Sequence, residues 1–287
     1  MIINAPAKIN LYLKVLSKRD DGFHQIETLF ERVSLFDRIS VEPSERSTQI
    51  TCDNSSVPTD ENSLLGKVVR DFMDKTGIKK HFKVSVEKHI PISAGLGGGS
   101  SDAAALLKGL NELEGHPLEE DNLTEIGGKI GSDVPFFLSN SSFAYGKERG
   151  ERITRVDSRL NLHHILINPP FEISTKDVYG RVSAFSLTKS RPVDKMFTSF
   201  LNNNNIKGIT ENLHNDLQHV VLRDFPRLEK VFSELRKAGA EGVLLSGSGP
   251  TVFGIFTSGT TAIEAGKELE KIFPEGEGWK VFVVKTC

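Results

Sequence analysis

Apolar and polar residues alternate along the first stretch of the chain, with Ile9, Leu11, Leu13 and Val15 set between Lys8, Asn10, Tyr12 and Lys14. A period of two marks a strand with unlike faces, so residues 2–15 are predicted to be extended. Asp21-Gly22 marks a turn. Residues 24–33, 35–41 and 49–52 are predicted as further strands, separated by polar positions. The period changes at residue 62. Leu64, Leu65, Val68, Val69 and Phe72 follow helical spacing up to Lys75, and Gly77 stands just beyond. Residues 82–86 alternate again and feed a glycine-rich run. After that run Ala103, Leu106, Leu107, Leu110 and Leu113 keep the spacing of a buried helical face, and Gly115 is placed to end it.

A second helix is predicted over 118–130, stopped at Gly131. Strands follow at 142–145 and 153–156 around a turn, then at 164–167. Asn168-Pro169-Pro170 continues neither element type easily and is read as a domain boundary, giving domains 1–168 and 169–287. Beyond it helices are predicted at 175–185, 193–201 and 215–221, and from Pro226 to just before Gly239. A strand at 243–245, the loop SGSGP, a strand at 252–256, a helix at 262–273 and a strand at 281–284 close the chain. Strands come first and mixed elements later, without strict βα alternation, so the fold class is α+β in preference to doubly wound α/β.

Composition changes this picture little. The chain has 287 residues, 38% hydrophobic and 26% charged, enough for one large or two medium domains. A formal net charge of −2 argues against a protein devoted to nucleic acid backbones. Two cysteines, Cys52 and Cys287, have no metal-ligand spacing and fit a reducing compartment. With no apolar run of membrane-spanning length and no secretory pattern after Met1, the expectation is a cytoplasmic protein without a membrane partner.

The chemistry concentrates at PISAGLGGGSSDAAA. Glycines without a Cβ, placed just before a helix start, let backbone amides converge on an anion, and the helix end adds partial positive charge. Ser100 and Ser101 bring hydroxyls to the same point. A Walker A loop would need Gly-Lys beginning five residues after Gly95, where Ser100-Ser101 stands, a dinucleotide fingerprint would need glycine at Ser100, and a nucleophile elbow would need glycine at Asp102. None fits. A flexible linker is the plain alternative, but this tract joins an apolar strand directly to an apolar helix.

Three further stretches bear on function. Lys8 and Asn10 share one strand face, Asp133 in GSDVPFFL sits between a helix end and Pro135, which breaks helix continuation, and Ser246 to Thr251 form a second glycine turn. Each has a bland reading as well: a solvated lysine, a turn aspartate, a tight hairpin. Together they suit phosphoryl transfer, where a carboxylate orients and deprotonates a hydroxyl and a lysine stabilises developing charge.

PAKINLYL, DDGFHQIETLF, AGLGGGSSDAAA, GSDVPFFL, NDL at residues 215–217 and LLSGSGPTVFGIF occur in this order. The whole chain resembles the GHMP kinase superfamily, small-molecule kinases that use ATP with Mg²⁺. The resemblance implies a two-lobed α+β fold, with an N-terminal lobe like the second domain of ribosomal protein S5 and a ferredoxin-like C-terminal lobe. It implies Lys8 and Asp133 as catalytic residues. Pro91, Ile92, Ser93, Ala94, Gly95, Leu96, Gly97, Gly98, Gly99, Ser100 and Ser101 would wrap the ATP phosphates. Asn10, Phe23, His24, Gly247, Ser248 and Gly249 would bind the acceptor, with Phe23 stacking on a nucleobase and His24 meeting its polar edge. Phe23 stands where the family more often has tyrosine. The implied branch phosphorylates the 2-hydroxyl of a cytidine diphosphate-linked methylerythritol, a step of non-mevalonate isoprenoid biosynthesis. Homoserine, mevalonate or sugar kinases, and a non-catalytic nucleotide sensor on the same fold, are the alternatives. The aromatic–His pair in DDGFH and the presence of both Lys8 and Asp133 favour the first reading.

Overall fold

The computed structural model describes residues 1–182, 197–198, 201–203 and 205–287. The chain divides into two units interleaved in sequence. The first comprises Met1–Ala7, Leu35–Ile90 and Gly97–Asn140; the second comprises Lys8–Ser34, Pro91–Leu96 and Ser141–Cys287. Two long strands, β1 (Ile2–Lys18) and β2 (His24–Ser44), pass through both.

In the first unit the later half of β2 pairs antiparallel with β4 (His81–Glu87), and β4 pairs parallel with β3 (Gln49–Cys52). Phe82, Val84 and Val86 are buried while their neighbours face out, as the alternation requires. Helix α1 (Leu64–Thr76) starts at Ser63, whose hydroxyl accepts from the Gly66 amide at 3.1 Å, and ends at Gly77 in the left-handed region. Helix α2 (Gly98–Leu113) packs on α1, α3 (Glu120–Ile130) and α4 (Val134–Leu138). Its close approach to the strands runs through Gly109, where a Cβ would lie 2.3 Å from Ile3 Cδ1. Leu106, Leu107 and Leu110 of α2 are fully buried, each worth roughly 1.5–3 kcal/mol of burial.

In the second unit β5 (Phe143–Glu148) pairs with the first half of β2 and with β6 (Arg152–Val156), and β8 (His214–Asn215) runs parallel to β1 at Tyr12 and Leu13. A separate antiparallel sheet has the order β11 (Lys280–Lys285), β7 (His163–Asn168), β10 (Val252–Phe256), β9 (Gly242–Leu245). Helices α5 (Thr175–Val182), α6 (Ile206–Thr210), α7 (Gln218–Asp224), α8 (Leu228–Lys237) and α9 (Gly259–Ile272) belong to this unit, and α8 and α9 pack against that sheet. Ile165, Ile167, Val231, Leu235, Val252 and Leu269 share its core.

The expected α+β class holds, with several boundaries moved. The two strands expected at 24–33 and 35–41 are one strand, because Val33, Leu35, Ile39 and Val41 keep a single buried phase through the small polar Ser34. The helix expected at 215–221 begins at Gln218; before it, Asn215 is a strand residue whose Oδ1 accepts from the Leu217 amide at 2.9 Å. Pro135, expected to stop helix continuation, stands in the first turn of α4, where a missing N–H costs nothing. Gly98 and Gly99 are the first residues of α2 instead of part of a loop. Residues 183–185 and 193–196, together with 199–200, from two predicted helices lie outside the described residues. Asn168, Pro169 and Pro170 all fall inside the second unit, and the division at 168 stands as a proposal about the sequence.

Candidate active site

In the second unit, β1 brings Lys8 and Asn10 together. Both lie on the strand's polar face, yet Lys8 is 5% exposed and Asn10 1%. Lysine is seldom buried without partners, and here Nζ donates to Asn10 Oδ1 at 2.8 Å and lies 5.5 Å from the centre of the Phe30 ring. Asn10 Nδ2 donates onward to Thr28 Oγ1, and Thr28 Oγ1 donates to the Tyr12 carbonyl, so the amide is fixed from both sides.

Against this face stands the turn at residues 246–250. A Cβ at Gly247 would come 3.4 Å from Lys8 Nζ and 3.3 Å from Asn10 Oδ1. Gly247 and Gly249 both have positive φ, and the Gly249–Pro250 bond is cis. Asn215 holds the turn by donating Nδ2 to the carbonyls of Leu245 and Gly247, both at 2.8 Å. Thr175 at the start of α5 shares a 2.8 Å hydroxyl contact with Ser248. The first half of the glycine-rich stretch, Pro91–Leu96, is tied to the same place. The Lys8 amide donates to the Leu96 carbonyl at 2.9 Å, Ser246 Oγ donates to the Gly95 carbonyl at 3.0 Å, and Thr251 N donates to the Ala94 carbonyl at 3.3 Å. Ala94 and Leu96 are buried, Pro91, Ile92 and Gly95 half-buried, and Ser93 exposed with φ +52°. Lys8, Asn10, Gly95, Gly247, Ser248 and Gly249, spread over the whole sequence, therefore meet.

The predicted aromatic–His pair is also in this unit. Phe23 is 52% exposed, with the Arg149 guanidinium 5.0 Å from its ring centre. His24 lies 5.3 Å from the Tyr179 ring, and its Nε2 is buried without a hydrogen-bond partner. Burial, then Lys18, holds the His24 imidazole below its usual pKa.

The first unit holds the second half of the glycine-rich stretch and Asp133. Gly97 has φ +70° and supplies no side-chain bond to the start of α2, so the opening N–H groups have no side-chain cap. Asp133 precedes α4, half-buried, and makes no side-chain capping bond there. The turn that carries it is near the same helix start: a Cβ at Gly131 would lie 3.5 Å from Ser100 Oγ. Ser101 Oγ is buried without a partner. Sequence reading missed Thr28, Asn215 and the Thr175–Ser248 contact; the NDL motif and the Ser174-Thr175 pair were the available signals. It also missed Lys88, which donates to both Asp37 and Asp102. Burial pushes the Asp102 carboxyl up to about 7 against the pull of Lys88, with Asp37 adding to the rise.

Family models match in two places, the GHMP kinases N terminal domain at residues 63–141 and the GHMP kinases C terminal at residues 198–275. A 4-diphosphocytidyl-2-C-methyl-D-erythritol kinase of Syntrophotalea carbinolica is 36% identical over 282 residues, 98% of this chain and 97% of its own. The chain belongs to the GHMP kinase family, among its 4-diphosphocytidyl-2-C-methyl-D-erythritol kinases. A kinase of the same description from Bacillus cereus is 40% identical over 256 residues, 89% of this chain and 88% of its own. A crystal structure of 4-(cytidine 5'-diphospho)-2C-methyl-D-erythritol kinase superposes with a TM-score of 0.82 at 30% identity, covering 99% of this chain and 98% of that one. A homoserine kinase from Cytophaga hutchinsonii shares the GHMP kinase fold at a TM-score of 0.75 and 20% identity, over 100% of this chain and 94% of that one.

Proposed function

We propose that this GHMP kinase transfers the γ-phosphoryl group of ATP to the 2-hydroxyl of 4-diphosphocytidyl-2-C-methyl-D-erythritol, giving the 2-phosphate and ADP. The near-full-length likeness to kinases of that description supplies the substrate. One observation in the site carries the chemistry: a lysine kept almost wholly inside the protein, tied to the Asn10 amide and bordered by Gly247, which has no side chain. In this reading Lys8 stabilises charge developing at the acceptor oxygen, and Asp133 takes the proton from the hydroxyl. The bond from that oxygen to phosphorus forms as the bond to the ADP oxygen breaks.

Residues 91–101 hold the phosphates through backbone amides and the helix start. Asn10 and residues 247–249 border the acceptor. Phe23, already exposed, offers a stacking face for cytosine, and the unpartnered His24 Nε2 suits its polar edge. Mg²⁺ accompanies ATP and neutralises phosphate charge. Among the described residues no group of three or more His, Cys, Asp or Glu is placed to hold a metal; the Ser100 or Ser101 hydroxyl would be this chain's candidate ligand when Mg²⁺ is bound with ATP. No described helix is long and apolar enough to cross a membrane, and a cytoplasmic site of action completes the proposal.

The test is ADP release with ATP and a panel of alcohols: the cytidylated substrate, homoserine, mevalonate and a hexose. Release with the cytidylated alcohol alone is expected. Asp133→Asn should keep the fold and ATP binding and lose about 10²–10⁴ in turnover; unchanged turnover removes the base assignment.

A further inference from the structure

Lys88 follows β4 directly, and its side chain is 6% exposed. It donates to Asp37 of β2 and, at 2.8 Å, to Asp102 Oδ2 of α2. Asp37 is anchored in turn, because its Oδ1 accepts from the amides of His89 and Ile90 at 2.6 and 2.8 Å. All these groups lie within the first unit. Asp102 stands one helical turn after Gly98, and side chains on a helix lean toward its N-terminus, so the carboxyl reaches back over the opening turn. A Cβ at Gly98 would come 3.3 Å from Lys88 Nζ and 3.0 Å from Ile90 Cγ2. The helix start thus rests directly on the lysine. Gly97 contributes no side-chain bond to this turn, and Ser101 Oγ is buried without a partner.

A buried cation between two carboxylates adds little net stability compared with apolar packing, because desolvation offsets most of the attraction. What such a cluster does supply is geometry: four directional contacts that admit one arrangement of strand, strand exit and helix start.

We propose that Lys88 is a positioning residue for the phosphate-binding turn, fixing the start of α2 through Asp37 and Asp102 so that the amides of Gly98, Gly99 and Ser100 keep one anion-binding arrangement. The inference rests on the reading that this turn holds ATP. Lys88 itself touches no reacting atom in this role.

The cleanest perturbation is Asp102→Ala, which frees the helix start and leaves Lys88 paired with Asp37. Calorimetric titration with Mg·ATP, without acceptor, should show binding weaker by about tenfold or more, the equivalent of ~1.4 kcal/mol. The KM for the acceptor should stay within about twofold while the KM for ATP rises. Asp102→Asn keeps an oxygen for Lys88 and should restore most of the binding. Should alanine leave a variant that melts early, Asp102→Leu fills the volume and gives the same comparison. ATP binding by the folded alanine or leucine variant equal to that of the wild type overturns the proposal, as does an asparagine variant as weak as alanine. Wild-type protein that binds no ATP removes this inference and the kinase reading together, whereas normal wild-type binding with an indifferent Asp102 removes only this one.

Discussion

Replacing Gly95 by alanine adds one carbon at a place where two loops touch. Gly95 has φ +76°, and a Cβ there would lie 2.1 Å from the Ser246 carbonyl oxygen and 3.0 Å from the Gly249 nitrogen. Both obstacles are backbone, so neither can swing aside as a flexible side chain would. The left-handed conformation costs alanine about 1 kcal/mol, and forced displacement in a packed region costs roughly 1–3 kcal/mol more. The sum is a loss of about 2–4 kcal/mol. Gly239, in the same unit, is the control: φ is +92° and nothing lies within 4 Å of its would-be Cβ. Gly239→Ala should therefore lose only the conformational part, about 1 kcal/mol. Urea unfolding of both variants against wild type, with unchanged m-values, gives the two numbers directly. Because the Ser246 hydroxyl and Thr251 amide are bonded to this same stretch, Gly95→Ala should also lower kcat/KM while Gly239→Ala should not. Equal destabilisation by the two substitutions would refute the steric argument, whatever their absolute size.

Three other expectations follow from the same geometry. Phe23→Ala should raise the KM for the cytidylated acceptor by about 5- to 150-fold, the equivalent of ~1–3 kcal/mol of stacking, and leave the KM for ATP alone; an unchanged acceptor KM separates the exposed ring from base recognition. Thr286→Val removes a hydroxyl that donates to buried Glu31 at 2.6 Å and accepts from the Leu162 amide at 2.8 Å, and should cost about 1–3 kcal/mol in thermal or urea unfolding. Asp102 titrates near 7 in the folded chain against an ordinary 3.8, so the folded form holds its proton more tightly. Its contribution to stability is complete below about pH 4 and is lost as pH rises through about 7. The stability difference between wild type and Asp102→Asn should move in favour of the variant between about pH 5 and pH 8, and a difference independent of pH contradicts the buried-acid assignment.

Local pattern carried much of the fold. The alternation of β4, the apolar stripe and glycine stop of α1 and the boundaries of β10 are properties of neighbouring residues, and the structure keeps them. Boundaries failed where a partner elsewhere decided. The short strand at His214–Asn215 exists because β1 offers Tyr12 and Leu13 for pairing, and nothing within that segment announces it. β2 continues through Ser34 because both flanking apolar residues keep the same buried face.

The sequence by itself offered candidates for chemistry: a lysine on a strand face, an aspartate at a corner and glycines before a helix, with the aromatic–histidine pair added by the family resemblance of DDGFH. Those choices depend on residue type and short spacing, which a linear chain displays. Only the tertiary structure decided that Lys8 is buried and tied to Asn10, that Gly247 and Gly95 close in on them, and that Lys88 bridges Asp37 and Asp102. Burial and long-range hydrogen bonds depend on distance in space. Partners separated by 51 residues in one pair and 151 in another come within bonding range only once the backbone has folded.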